Sequence, residues 1–427
     1  MEKFVLENGL RIVTEVIPTY RSVSFGIWVK TGSRRETEQN RGISHFVEHM
    51  LFKGTERYSA KDIADIFDGI GGNVNAFTSK EYTCYHFKVL DQHLPLAMEV
   101  LADMFYRSKL DAEEMEREKN VILEEIAMYE DTPDDLVHDL IARAAYGDHP
   151  LGYPILGDAK ALKSMEPSHL REYMNRHYTA DNTVISMAGN IGPEVVELVR
   201  RHFGGEGRTG GEAYEASPDF HSGVVFHEKN TEQNHLCLAL PGLRVDHENM
   251  YGMAILNNLI GGSMSSRLFQ EVRENRGLAY SVYSYHSAHI DSGMFIIYVG
   301  TAPGQTKEAL NVTLDVLEKI RTGEISEAEL ARGKEQLKGN LILSLESSGS
   351  RMNRMGKNEL LVGRHYSLDE MIGRIDAVTA DDVRNVIGMM FSRPFAVALV
   401  GGSDLPIRDF RRDQFVVSGK DQKIAGQ

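Results

Sequence analysis

Two histidines four positions apart, with a glutamate between them, are the residues of this chain best suited to chemistry. They are His45 and His49, and the glutamate is Glu48. Four residues is close to one helical turn, so both imidazoles leave the same face of a helix and can bind one metal ion. Neutral imidazole nitrogens suit zinc. Glu48 is near enough to reach a water on that metal, so we interpret it as a general base.

The residues around the two histidines indicate that their helix is buried. Phe46, Val47 and Met50 contribute to a surface that is apolar on nearly every side. Buried titratable groups need partners, and a metal ion supplies one. The order His-x-x-Glu-His is also the inverse of the H-E-x-x-H zinc motif. The alternative is a solvated helix face that carries two histidines and an acid by chance, and a third ligand decides between the two.

The third ligand is expected from an acid-rich helix further along the chain. This helix begins after Asp111 and contains Glu118 and Glu125, which are seven residues apart and therefore share a face. That face borders an apolar stripe, whereas Glu124 points elsewhere. A row of glutamates on a helix is usually a solvated surface, so the spacing alone favours Glu125 only slightly.

Length and composition limit the possible classes of protein. The 427 residues predict two or three domains, and the net charge of −15 disfavours nucleic acid and anionic membranes as partners. Cys84 and Cys237 are too few for a disulfide framework and are expected to be buried thiols. The N-terminal segment does not have the pattern of a signal peptide, and there is no apolar run of about 18 residues. We therefore expect a cytoplasmic protein without a membrane partner.

The order of predicted elements repeats along the chain. Strands are predicted at 22–30, 73–78, 82–90 and 183–188, and again at 224–227, 235–240, 279–286 and 294–299. Near the N-terminus, Asn8-Gly9 predicts a hairpin with a type I′ turn. In the second half, a short helix is predicted at Ser266–Val272.

These elements predict two similar α+β domains that arose by internal duplication, each with an antiparallel-rich sheet flanked by helices. Segments 110–115 and 325–330 resemble each other at an offset of 215 residues (326 − 111), and each opens a long helix. The glycine-rich segment 204–218 predicts a linker. It divides the chain into a zinc-binding domain, 1–208, and a second domain, 209–427. The second copy has no His-x-x-Glu-His, so the metal chemistry belongs to the first.

The zinc motif and the two distant glutamates together resemble the pitrilysin and insulinase-type metallopeptidases. Within them, the chain is most similar to the mitochondrial processing peptidase-like branch, whose subunits carry a single repeat. Glu118 and Glu125 lie 69 and 76 residues beyond His49, and the resemblance runs nearly end to end. It implies that His45, His49 and Glu125 bind one zinc ion per subunit. It also implies that Glu48 is the general base and that Glu118 supports the ligands.

A further implication of the resemblance is a docking strand for the substrate. The segment Gly71–Ser79 matches the family's edge strand beside the zinc, where Asn75, Ala76 and Phe77 would contact the peptide. An extended peptide adds to such an edge through backbone hydrogen bonds, with little regard to its sequence. Without the resemblance, the segment would be interpreted as a glycine turn followed by an ordinary strand.

The second half of the chain also matches residues that in the family act on the substrate. Arg273 and Tyr280 match an arginine–tyrosine pair that binds the peptide and stabilises the developing oxyanion. Asp135 and Asp139 match acids that receive an arginine near the cleavage site, although helix dipoles also favour acids at these positions. In the family the pair faces the zinc from the opposing half of a chamber. A single-repeat chain therefore implies a homodimer, in which the pair acts on the partner's zinc site.

The sequence thus predicts a zinc-dependent endopeptidase that cleaves unfolded peptides or presequence-like segments in a closed chamber. One alternative is a non-catalytic scaffold subunit, but relatives of that kind have degraded motifs and this chain has every element. Another alternative is a hydrolase of a non-peptide substrate, which would share the metal but would not need the docking strand.

Overall fold

The computed structural model describes residues 1–205, 217–323, 325–403 and 405–408. The boundary predicted between 208 and 209, and most of the predicted linker, lie outside these residues. The first half contains, in order, β1 (Glu2–Val5), β2 (Arg11–Val16), β3 (Ser22–Val29), α1 (Ile43–Leu51), α2 (Ala60–Gly69), β4 (Asn73–Thr78), β5 (Thr83–Leu90), α3 (Leu94–Arg107), α4 (Ala112–Glu130), α5 (Pro133–Tyr146), α6 (Ala159–Ser164), α7 (Pro167–His177), β6 (Thr183–Gly189) and α8 (Val195–Phe203). The second half contains β7 (Val224–Glu228), β8 (Asn234–Pro241), α9 (Met250–Ile260), β9 (Ala279–Ala288), β10 (Gly293–Thr301), α10 (Thr306–Thr322), α11 (Glu327–Ser344), α12 (Ser348–Leu361), α13 (Leu368–Ala377), α14 (Ala380–Met390), β11 (Ala396–Gly401) and α15 (Leu405–Arg408).

The first sheet has six strands in the order β1-β2-β6-β3-β5-β4. Strands β2 and β6 are parallel, and every other neighbouring pair is antiparallel. Strand β3 is almost entirely buried, and its Phe25 stacks on Phe87 of β5 with ring centroids 4.9 Å apart. Strand β4 lies at the edge of the sheet, where α1 packs against it. The sheet therefore places a free strand edge beside the helix that carries the two histidines.

The second sheet repeats the connectivity of the first. Its order is β7-β11-β8-β10-β9, in which the first and last strands along the chain, β7 and β11, are parallel neighbours and the other pairs are antiparallel. Strands β2 to β6 of the first sheet are arranged in the same way. The prediction of two similar α+β domains built on antiparallel-rich sheets is confirmed.

Two compact units divide the described residues, and each unit is discontinuous along the chain. The first takes residues 1–127, 153–205 and 343–365, and the second takes the others. Helix α5 lies in the first half of the chain but belongs to the second unit, whereas α12 lies in the second half but belongs to the first unit. Helix α12 packs on the first sheet, where Met352 and Met355 share a buried cluster with Trp28, and α5 packs on the second sheet through Val137 and Ile141. The offset between these two helices equals the predicted repeat, because α12 begins 215 residues after α5 (348 − 133).

The hairpin between β1 and β2 differs from the prediction. A type I′ turn requires a positive φ at both central residues, but only Gly9 has one (φ 87°) and Asn8 does not. The side chain of Asn8 instead accepts a hydrogen bond from the amide of Leu10 at 3.1 Å and donates one to the carbonyl of Phe203 at 2.8 Å. These bonds hold a longer loop, so the prediction of a type I′ turn is wrong.

The helix predicted at Ser266–Val272 forms mostly as a π-helix, Phe269–Glu274. Its wider turn is visible in the hydrogen bond from the amide of Asn275 to the carbonyl of Gln270, five residues earlier, at 2.9 Å. Such turns are rare and occur frequently at functional sites. Arg273 lies within this one.

Both cysteines, Cys84 and Cys237, are free and buried, as predicted, and burial raises the pKa of each thiol. None of the helices in the described ranges combines the length and the apolar character needed to cross a membrane.

Candidate metal centre

Helix α1 is held in the core of the first unit by its apolar side chains and at its start by a carboxylate. Phe46, Val47, Met50 and Leu51 are completely buried. Gly42, the residue before the helix, has φ 89° and provides no side-chain cap. The buried Glu36 instead accepts hydrogen bonds from the amides of Gly42 at 2.7 Å and Ser44 at 3.0 Å. The start of the histidine helix is therefore fixed by a residue outside it.

The two histidines of α1 meet a carboxylate from α4. Nε2 of His45 lies 3.2 Å from Nε2 of His49. The carboxylate oxygen Oε2 of Glu125 lies 3.8 Å from the first nitrogen and 3.6 Å from the second. The ligand atoms of His45, His49 and Glu125 all lie within 4.8 Å of one another. Among the described residues, these three side chains form the group that could hold a metal ion. The exposed Glu124 next to Glu125 does not belong to it.

The spacing of these three atoms fits a tetrahedral zinc ion. With zinc–nitrogen and zinc–oxygen bonds of about 2.0–2.1 Å, two ligand atoms of a tetrahedral site are separated by about 3.3–3.4 Å. The nitrogen–nitrogen separation of 3.2 Å and the nitrogen–oxygen separations of 3.6 and 3.8 Å are close to that value. Two imidazoles and one carboxylate are also the donor set of several catalytic zinc sites, which leave a fourth position open. His45, His49 and Glu125 therefore suit zinc in number, chemistry and spacing.

Glu118 lies behind His49 and fixes its orientation. Its Oε1 accepts a hydrogen bond from Nδ1 of His49 at 2.7 Å, and its Oε2 pairs with Nζ of Lys53 at 2.5 Å. Burial acts to raise the pKa of Glu118, but the hydrogen bonds from His49 and Lys53 outweigh burial and lower it. An ionised Glu118 keeps the proton of His49 on Nδ1 and leaves Nε2 available as a ligand.

Burial and the neighbouring His49 keep His45 neutral. Burial, together with the neighbouring His49, lowers the pKa of His45 to about 3. A neutral imidazole has a lone pair to offer to a metal ion, whereas an imidazolium does not. The ring of His45 is therefore ready to bind a cation across the pH range in which most proteins are stable.

Glu48 lies beside the candidate ligands His45 and His49 on α1 and is contacted by the edge strand. Oγ1 of Thr78, the last residue of β4, donates a hydrogen bond to Oε2 of Glu48 at 2.5 Å. Burial raises the pKa of Glu48, and the hydrogen bond from Thr78 opposes this shift. A carboxylate whose pKa is raised accepts a proton more readily, which suits a general base.

The predicted docking residues lie on β4, the edge of the first sheet. Asn75 is exposed, and its side chain accepts a hydrogen bond from the amide of Ala76 at 2.8 Å. Phe77 packs edge-on against Trp28 with ring centroids 5.7 Å apart. Strand β4 pairs with β5 along one side, so its other side presents backbone groups to an incoming chain.

Four other predicted residues belong to the second unit. The guanidinium carbon of Arg273 lies 5.1 Å from the centre of the Tyr280 ring, so the structure brings this pair together, and Tyr280 is 76% exposed. Asp135 is exposed and Asp139 is half-buried on α5. The backbone carbonyl of Asp135 accepts a hydrogen bond from Tyr129 at 3.1 Å.

Three residues near the centre are not singled out by the sequence analysis. Lys53 follows His49 by four positions, and this helical spacing is a signal that could have identified it. Glu36 and Thr78 give no such signal, because their contacts with α1 depend on how a loop and an edge strand pack against that helix. Both are found only from the structure.

The chain matches two family models along its sequence. Residues 11–159 match the family described as insulinase (peptidase family M16), and residues 164–337 match the family described as the peptidase M16 inactive domain. The chain is 51% identical over 403 residues to a Bacillus subtilis protein named uncharacterized zinc protease YmxG, covering 94% of this chain and 98% of that protein. It is 42% identical over 422 residues to an uncharacterized zinc protease of Streptomyces coelicolor, covering 96% of this chain and 90% of the relative.

Two solved structures share the fold at low sequence identity. A protease from Helicobacter pylori has a TM-score of 0.86 at 23% identity, covering 94% of this chain and 99% of its own. A Pseudomonas fluorescens structure described as a peptidase M16 inactive domain has a TM-score of 0.87 at 20% identity, covering 94% of this chain and 98% of its own. Both are two-domain proteins of similar architecture.

Proposed function

Since this chain belongs to the insulinase family of peptidases, family M16, we propose that it is a zinc-dependent endopeptidase. The observation that carries the proposal is the convergence of His45, His49 and Glu125, with Glu48 beside them on α1. We propose one zinc ion per subunit, held by these three side chains. When bound, zinc would polarise the scissile carbonyl and acidify the attacking water.

The side chains around the centre would move the protons of the reaction. Glu48 removes a proton from the attacking water as the water adds to the carbonyl carbon, and then gives that proton to the leaving amine. Glu118 keeps His49 in the tautomer that a metal ligand needs. The second proton of the water also passes to the amine, so the products are a new carboxylate and a protonated amine, and Glu48 ends in its starting state.

The substrate class follows from the free edge of β4. An extended peptide that pairs with Asn75, Ala76 and Phe77 is held by backbone hydrogen bonds, so the site selects unfolded chains over folded domains. We propose unfolded peptides or presequence-like segments, admitted to a closed chamber. An arginine near the cleavage site would be received by Asp135 and Asp139.

The chamber would be completed by a second copy of the chain. Arg273 and Tyr280 form an accessible pair of the kind that binds a substrate backbone and an oxyanion. In this proposal the protein is a homodimer, and each pair acts on the zinc site of the other subunit. The two free cysteines suit a reducing compartment, and we propose the cytoplasm.

Two other functions make different predictions. A non-catalytic scaffold subunit would not need the complete set of ligands and general base that is present here. A hydrolase of non-peptide substrates would need the metal but not a free strand edge beside it. Neither is favoured by a specific observation.

The direct test is a peptide-library assay on the purified protein and on Glu48→Gln. We expect cleavage by the wild-type protein and a loss of at least a hundredfold in kcat for the variant, with its zinc content unchanged. An active Glu48→Gln protein would remove the assigned base. A wild-type protein that binds zinc but cleaves no peptide would favour the scaffold or the non-peptide hydrolase.

A further inference from the structure

The carboxylate of Glu48 is restrained by the strand to which the peptide would add. The hydrogen bond from Oγ1 of Thr78 to Oε2 of Glu48 is 2.5 Å long. Among the described residues, no other hydroxyl or amide hydrogen-bonds to that carboxylate. Thr78 is the last residue of β4, directly before the turn to β5. The general base and the docking edge are therefore joined by one side chain.

The direction of this hydrogen bond is fixed by its neighbours. Thr83, the partner of Thr78 in the β4–β5 ladder, donates its own hydroxyl proton to the carbonyl of Thr31 at 2.9 Å. Its oxygen lies 3.5 Å from that of Thr78, too far for a strong hydrogen bond. The proton of Thr78 is therefore directed to Glu48, and an ionised carboxylate can only accept it.

A glutamate has three rotatable side-chain bonds, and an unrestrained carboxylate samples several orientations. A charge-assisted hydrogen bond is short and directional, so it favours one of them. The donor here belongs to a strand that is ordered on one side by β5 and is open on the other.

We propose that Thr78 is a positioning residue for the general base, and that its hydrogen bond from the end of the docking strand holds the Glu48 carboxylate in one orientation. The inference rests on the proposed peptidase function. It assigns Thr78 no contact with the reacting atoms. Its expected effect is therefore on the rate of the chemical step and not on zinc affinity.

The test compares Thr78→Val with Thr78→Ser. Valine keeps the branched shape that suits a strand but removes the hydroxyl, whereas serine keeps the hydroxyl. We expect kcat of Thr78→Val to fall about 10- to 100-fold, with KM within about twofold of wild type, and Thr78→Ser to recover most of the rate. Thr78→Ala removes the hydroxyl with a different shape and should match valine. Zinc content and melting temperature of each variant establish that the fold is kept.

Thr322→Val is the matched control, because it makes the same substitution at the exposed end of α10. Thr322 donates to the carbonyl of Glu318 at 2.7 Å, and the loss of its hydroxyl should leave kcat unchanged. A second measurement does not use catalysis. Peptide affinity measured in the Glu48→Gln background should be the same with threonine or valine at position 78.

The possible outcomes separate the two proposals. A wild-type protein that cleaves no peptide overturns the peptidase function and this inference with it. An active wild-type protein with a Thr78→Val kcat equal to that of Thr322→Val overturns the positioning role alone. A raised KM, or a weakened peptide affinity in the Glu48→Gln background, also overturns it, since Thr78 would then be acting in substrate binding.

Discussion

Glu118 accepts a hydrogen bond from Nδ1 of His49 at 2.7 Å, and this contact decides which nitrogen of the ring faces Glu125. The opposite nitrogen, Nε2, lies 3.6 Å from the Glu125 carboxylate. Two glutamates on one helix, two turns apart, therefore contact opposite edges of the same imidazole. One edge is a hydrogen-bond donor and the other is the proposed metal ligand.

Removing this support is expected to weaken zinc binding without abolishing it. Removing a residue that hydrogen-bonds to a metal ligand typically weakens metal affinity by about 10- to 100-fold. Glu118→Ala should therefore raise the zinc dissociation constant by about that factor. Glu118→Gln should have a smaller effect, because its amide oxygen still accepts from His49. The measurement is competition with a chelator of known affinity. Equal affinities for all three proteins would show that the contact does not matter.

The buried carboxyl at the start of α1 should make stability depend on pH. Burial raises the pKa of Glu36 from 4.5 to about 7, against the hydrogen bonds from Gly42 and Ser44. The unfolded chain loses this proton near pH 4.5 and the folded chain near 7, so the folded state binds the extra proton between them. The free energy of unfolding should therefore fall by about 3 kcal/mol as the pH rises through this interval.

Glu36→Gln isolates that effect from other titrating groups. The single tryptophan, Trp28, is buried in the same unit and reports its unfolding by fluorescence in urea. With metal-free protein at pH 5 and pH 7.5, wild type should lose about 2 kcal/mol more than Glu36→Gln. The same loss in both proteins would assign the pH dependence to another group.

Helix α12, which packs on the first sheet, gives a third prediction. Gly356 packs so closely on Trp28 that an added Cβ would overlap the indole, so Gly356→Ala should destabilise the first unit by about 1–3 kcal/mol. Gly339 in α11 has no neighbouring atom within 4 Å of an added Cβ, so Gly339→Ala should be neutral or stabilising by up to about 1 kcal/mol. Urea unfolding followed by far-ultraviolet circular dichroism measures both, because this signal reports the helices of both units. A destabilisation by Gly339→Ala as large as that by Gly356→Ala would contradict the packing.

The proposed homodimer predicts that two inactive variants restore activity when they are mixed. Glu48→Gln keeps Arg273, and Arg273→Ala keeps Glu48. In a mixed dimer whose arginine acts across the interface, one of the two sites contains both groups. After unfolding and refolding together at equal amounts, half of the dimers are mixed, so activity should recover to about a quarter of wild type.

A mixture whose activity does not recover would contradict the action of Arg273 across the interface. If Arg273 acts on the zinc site of its own chain, no mixed dimer contains an intact site and activity stays at the level of the separate variants. Native mass measured on the same samples establishes whether dimers form. A monomeric and fully active wild-type protein would contradict the proposed chamber.

Local signals explain what could be predicted from the sequence. The spacing of His45 and His49 requires only a helix, and both residues lie on α1. Helix α4 begins after Asp111 as predicted, and Asp111 accepts hydrogen bonds from the amides of Glu113 and Glu114. The duplication was visible because both copies open a long helix with a similar segment.

Interactions between distant segments explain what could not be predicted. Nothing local to α5 or α12 shows which sheet its apolar face will cover, and strand β11 was not assigned, although it is central to the second sheet. The hydrogen bond between Thr78 and Glu48 depends on the packing of an edge strand against α1. The π-helix at Arg273 differs from an α-helix by one residue per turn, which the apolar pattern does not resolve.

The most direct test of the account is the metal content of the purified protein and of two neighbouring variants on α4. Glu125→Gln removes the proposed third ligand, and Glu124→Gln makes the same change on an exposed residue outside the cluster. Elemental analysis after dialysis against a weak chelator should find one zinc per chain in wild type and in Glu124→Gln, and almost none in Glu125→Gln. Equal zinc in both variants, or none in wild type, would contradict a centre built from His45, His49 and Glu125.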